Sequence, residues 1–122
     1  MNVVDTSGWT EYFFAGPHAR FFAPAIESIG QLIVPTVCLY EVFKKVTLVA
    51  DEARGLAAVA HMKLGAVCPM TEEVALRAAA LSIKHKLPMA DSLILATAQL
   101  SSATTWTLDE HFRGLQGVRM PA

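Results

Sequence analysis

Short β-branched runs alternate along this chain with longer stretches of helical period. Asn2–Val4 and residues 31–34 read as strands, and Ala66–Cys68, 105–108 and 118–120 read as weaker ones. The stretches between them carry helix punctuation. Thr36 is placed to cap a helix after Pro35, Asp51 to cap residues 52–64 before Gly65, and Thr71 to cap residues 72–86 before Pro88. From Asp91 to Leu100 the apolar positions leave almost no polar face, which predicts a buried helix. Strands separated by one or two helices predict an α/β fold with a central parallel sheet, right-handed crossovers and helices on both faces. In such folds ligands bind beyond the carboxyl ends of the strands.

Against this pattern four carboxylates are out of place. Asp5 ends the apolar run Met1-Asn2-Val3-Val4, and Glu41 follows Leu32-Ile33-Val34-Pro35 by a turn and a half of helix. Asp91 is set among Pro88, Met89, Ala90, Leu93 and Ile94, and Asp109 closes Trp106-Thr107-Leu108. The other seven acids have ordinary surface or helix-start settings. Desolvating a charge costs several kcal/mol, so acids in apolar surroundings persist when paired or metal-bound. Asp5 and Asp109 each follow a predicted strand, and Glu41 and Asp91 lie in the early turns of helices, so all four can reach one sheet edge. Two like charges about 4 Å apart repel by about 4 kcal/mol at an effective dielectric of 20, and four ask for a counter-cation.

Bulk properties narrow the class. A chain of 122 residues is expected to form one domain, 1–122. Its hydrophobic content of 53% implies a large buried sheet or a covered surface. No apolar run approaches the roughly 18 residues of a spanning helix, and no secretory pattern opens the chain, so a cytoplasmic protein without a membrane association is expected. Cys38 and Cys68 have no metal or redox spacing and read as small buried hydrophobes. Ten basic residues against the seven ordinary acids leave a surface able to accept a polyanion once a metal occupies the other four.

An all-carboxylate set suits Mg2+ or Mn2+, hard cations that also bind phosphate oxygens, whereas zinc prefers His or Cys. Their natural chemistry is hydrolysis of a phosphodiester. No nucleophile-His-acid order, Gly-rich phosphate loop or paired-Cys pattern competes.

Four segments then carry a resemblance: Val4-Asp5-Thr6-Ser7, the run from Val34 through Glu41 to Val42, the run from Leu87 through Asp91 to Ala98, and Thr107-Leu108-Asp109-Glu110-His111-Phe112. In order, spacing and total length they resemble the successive motifs of PIN-domain proteins, specifically VapC toxins of bacterial toxin–antitoxin pairs. The resemblance implies a three-layer α/β/α domain and a Mg2+- or Mn2+-dependent endoribonuclease cutting tRNA or ribosomal RNA. It also implies an antitoxin encoded beside it and a homodimer. By position Asp5, Glu41 and Asp91 match the invariant acids and Asp109 the more variable fourth, making these the expected catalytic and metal-binding residues. Thr6, Ser92 and Thr107 are the expected supporting hydroxyls, with Ser7 a weaker candidate, holding carboxylates or water in place.

His111 stands where many relatives carry a further acid and reads as a surface residue at the edge of the site; His18, His61 and His85 read as surface residues. Six aromatics between Trp9 and Phe22 predict a shared role in core packing and antitoxin docking. Lys44 and Lys45 follow Glu41 by one turn and are candidates for phosphate, as are Arg20, Lys84, Lys86 and Arg113 on charge alone. Two other readings compete. A phosphoacceptor receiver domain would need paired acids at the first strand and a Lys near residues 104–108, and the chain has neither. A non-cleaving PIN-like module acting in an antitoxin-containing DNA-binding complex would not need to keep all four acids.

Overall fold

The computed structural model describes residues 1–122. Five short strands, β1 (Asn2–Val4), β2 (Leu32–Pro35), β3 (Ala66–Cys68), β4 (Thr104–Trp106) and β5 (Val118–Arg119), pair in the order β3-β2-β1-β4-β5, every pair parallel. The helices are α1 (Thr6–Phe13), α2 (Ala19–Glu27), α3 (Thr36–Val49), α4 (Glu52–Met62), α5 (Glu72–His85) and α6 (Met89–Leu100). The predicted α/β architecture is therefore present.

The strand order decides where a ligand can enter. From β1 the chain steps outward to β2 and β3, then returns across both to place β4 on the other side of β1. Right-handed crossovers put α1 to α4 on one face and α5 and α6 on the other, giving three layers. The reversal between β1 and β4 opens a crevice at their carboxyl ends.

Local signals explain most boundaries. Asp51 accepts from the Arg54 N–H at 2.8 Å and Thr71 from the Val74 N–H at 3.2 Å, so both act as the predicted caps. Thr36 does not. Pro35, in extended conformation, takes the capping position and Thr36 becomes the first helical residue. Pro88 likewise starts α6 at Met89, two residues before Asp91, which falls inside the first turn. Residues 92–98 of α6 are all buried, as the absence of a polar face predicts.

The core centres on Val3, Val4, Trp9, Phe22, Val34 and Val42, each with no exposed surface. Close packing dictates Gly8: a Cβ there would lie 2.6 Å from Val4 Cγ1 and 2.7 Å from the Phe22 ring. Cys38 is buried, but Cys68, on the edge strand β3, is only half-buried, so the expected filler role holds for the first alone. No helix is long and apolar enough to cross a membrane.

Candidate active site

Asp5 leaves the carboxyl end of β1 and caps α1. Its Oδ1 accepts from the Gly8 N–H at 3.0 Å and from the Ser7 hydroxyl at 2.6 Å, and its Oδ2 accepts from the Thr107 hydroxyl at 2.5 Å. Those hydroxyls are themselves fixed. Ser7 Oγ accepts from the Leu108 N–H at 3.0 Å and Thr107 Oγ1 from the Asp109 N–H at 2.8 Å. The segment after β4 is thus stitched to the start of α1, and the carboxylate has a single orientation.

Glu41 reaches the same place from α3, where the Thr6 hydroxyl donates to its Oε1 at 2.5 Å. Asp91 enters from the first turn of α6, a position the helix dipole favours for a negative charge. Asp109 follows β4 and caps the short 3-10 turn Glu110–Phe112 through the His111 N–H at 2.9 Å. That turn brings His111 Nδ1 to 3.0 Å from Asp109 Oδ1 and 3.2 Å from Asp91 Oδ2. All four acids line one open cavity of about 450 Å³, with Thr6, Ser7, Lys44 and Lys45 on its wall.

Electrostatics reflect this convergence. Burial pushes the Asp5 carboxyl up to about 6, against the hydrogen bonds from Ser7, Thr107 and Gly8, and the charge of Asp109 adds to the rise. Asp91 is also pushed up to about 6, by burial and then by Asp109 and Asp5, with His111 opposing. The donor chemistry fits a divalent cation. One ligand atom each from Asp91, Asp109 and His111 lies within 4.8 Å of the others, and Asp5 and Glu41 add carboxylate oxygens to the same cavity. A hard cation takes such oxygens and offsets both the burial and the repulsion that raise the two carboxyls.

The fold brings together Asp5, Glu41, Asp91, Asp109, Thr6 and Thr107. Ser92 stands apart: its buried hydroxyl donates to the Met89 carbonyl of its own helix at 2.7 Å and meets none of the acids. Ser7 instead does what was expected of Ser92. His111 lies at the edge, as expected, yet joins two acids, and the readable signal is an Asp two residues before it, which turns the chain back by capping. Of the basic candidates, Lys44 and Lys45 line the cavity, whereas Arg20, Lys84, Lys86 and Arg113 do not. Arg113 pairs with Glu110.

The aromatic segment divides. Trp9 and Phe22 are core, while Phe14 is 42% exposed and with Phe13 lines a second, apolar groove of about 620 Å³ against Val46, Ala50, Ala57 and His61. Trp9 is thereby removed from the docking candidates. His61 is exposed, as expected, and packs its ring edge-on to Trp9, Tyr12 and Phe13.

Known structures share this fold. A toxin–antitoxin complex from Klebsiella pneumoniae is similar at 27% identity and a TM-score of 0.81, over 100% of this chain and 98% of that one. The sarcin–ricin loop cleaving toxin VapC20 of Mycobacterium tuberculosis superposes with a TM-score of 0.78 at 17% identity, over 95% of each chain. FitAcB of Neisseria gonorrhoeae does so with 0.74 at 21% identity, over 100% of this chain and 97% of that one. No curated protein matches the sequence. The sequence matches the PIN domain family over residues 3–118, from the first strand to the last, and the chain belongs to that family.

Proposed function

We propose that the protein is a Mg2+-dependent endoribonuclease, the toxin of a type II toxin–antitoxin pair, which hydrolyses tRNA or ribosomal RNA in the cytoplasm and arrests translation until its antitoxin binds. The observation that carries this reading is the convergence of four acids, from four separate segments, on a cavity that also presents two lysines. Asp5, Glu41, Asp91 and Asp109 would hold the cation, with His111 beside the last two. When bound, such a cation stabilises charge on phosphate oxygens and activates water for hydrolysis.

The rest falls to the chain's own side chains. Ser7 and Thr107 hold both oxygens of Asp5 and Thr6 holds Glu41, so the carboxylates need no reorganisation when substrate arrives. Lys44 and Lys45 meet the RNA backbone and position it without reading its sequence. The antitoxin packs an apolar segment into the groove at Phe13 and Phe14, and an arginine from its tail enters the acidic cavity, where a bidentate guanidinium displaces the cation.

The test is RNA cleavage by the purified protein. Activity should vanish with chelator, return with Mg2+ or Mn2+ but not efficiently with Ca2+, and leave 5′-phosphate and 3′-hydroxyl ends. A 2′,3′-cyclic phosphate would mean attack by the RNA's own 2′-hydroxyl and would overturn the mechanism. Glu41→Gln and Asp91→Asn should each lower the rate by at least about 100-fold, the scale of a strong transition-state contact. Full activity in a folded Asp91→Asn protein would remove the site.

A further inference from the structure

Tyr40 is a large aromatic side chain on the wall of the acidic cavity, and it is 64% exposed. It precedes Glu41 on α3. Lys44, one turn further on, holds its ammonium 5.8 Å from the ring centroid, within the roughly 6 Å reach of cation–π attraction. Leu48, another turn on, is 75% exposed and lines the same cavity. Neither Tyr40 nor Leu48 belongs to a buried cluster, so packing of this chain does not account for the stripe.

The neighbours of the ring indicate its occupant. An acidic cavity bordered by lysines suits a phosphodiester, and every nucleobase offers an aromatic face to a ring held beside its phosphate. In a duplex those faces are covered by adjacent base pairs. Only an unpaired base can leave its neighbours and lie on a tyrosine. A lysine resting on that ring is already beside the phosphate the base carries.

We propose that Tyr40 is a stacking platform for an unpaired nucleobase next to the scissile phosphate, with Lys44 leaving the ring for that phosphate as RNA binds. The inference rests on the nuclease reading of the cavity and makes Tyr40 a determinant of specificity for loops, bulges and single strands over duplex.

Binding separates this role from others when measured in the Asp91→Asn background, where RNA stays intact. The probes are a fluorescein-labelled mixed-sequence RNA single strand, the blunt duplex of the same sequence, and the single strand carrying 2-aminopurine. Tyr40→Ala should weaken single-strand binding by about fivefold or more and abolish the quenching of 2-aminopurine, whereas Tyr40→Phe retains both and duplex affinity stays constant. Equal single-strand affinity in Tyr40→Ala would overturn the proposal. So would a loss in Tyr40→Phe as large as in Tyr40→Ala, because the hydroxyl and not the ring face would then carry the contact. Were Tyr40→Ala to change the sedimenting mass of the protein while leaving RNA affinity intact, the stripe would be a protein contact and the platform would not exist. Failure of the wild-type protein to cleave tRNA or ribosomal RNA with Mg2+ would overturn the nuclease reading itself, an outcome distinct from equal affinities among the variants.

Discussion

Replacing Asp5 by Asn should make the chain more stable in the absence of divalent cations while removing its activity. The Asp5 side chain is buried, its carboxyl is pushed up to about 6, and its ordinary value is 3.8. The folded state therefore holds this proton more tightly than the unfolded chain does. Stability falls as pH rises from 3.8 through about 6, and the full penalty applies above that. Two pKa units at 1.36 kcal/mol each put it at about 3 kcal/mol near neutral pH.

Asn carries no charge to desolvate and keeps most of the hydrogen bonding. Its oxygen can accept from Ser7 and Gly8, and its amide can donate to Thr107 Oγ1 once that hydroxyl rotates. Weaker neutral bonds take back part of the gain, so an increase of about 1–3 kcal/mol is expected near pH 7.5. Urea denaturation in chelator measures it as a rise in midpoint at constant slope. Near pH 4.5, where wild-type Asp5 is protonated in the fold, the advantage should shrink by about 2 kcal/mol. Added Mg2+ should raise the wild-type midpoint and leave that of the variant unmoved. A variant no more stable than wild type near pH 7.5, or an advantage that ignores pH, would refute the reasoning.

Ser7→Ala leaves the Leu108 N–H unpaired and frees Asp5, so it should cost about 1–3 kcal/mol by urea melts and reduce cleavage. Ser92→Ala should leave the initial rate of cleavage unchanged within about twofold, because its hydroxyl serves only the Met89 carbonyl. Gly8→Ala should lower stability by about 1–3 kcal/mol through overpacking on Val4 and Phe22, read as a fall in thermal midpoint. At limiting Mg2+ the rate of RNA cleavage should rise with pH as Asp5 and Asp91 lose their protons, and because the cation competes with those protons the rise should move to lower pH as Mg2+ is increased; a midpoint that ignores Mg2+ would contradict that origin. Phe14→Asp should weaken capture of the co-expressed antitoxin while leaving RNA cleavage intact, and an unchanged complex would place docking elsewhere.

The sequence alone determined the elements and the acids that do not suit their surroundings. Alternation of period is a local property, as are caps such as Asp51 and Thr71, whose partners lie three residues away. A carboxylate among valines or leucines is conspicuous at any fold because its desolvation cost does not depend on topology. What the sequence did not contain is which segment lies across from which. Ser7 and Ser92 both stand near an acid, but only Ser7 faces one, because β4 pairs beside β1 and brings Leu108 over the start of α1. Thr107 reaches Asp5 across 102 positions and Thr6 reaches Glu41 across 35, so these bonds exist only after the sheet has formed. The same assembly buries Trp9, leaves Phe14 exposed and sets His111 between two carboxylates. Helix and strand propensities are spent within a few residues of chain, whereas the partner of a hydroxyl or an imidazole is chosen by strand order.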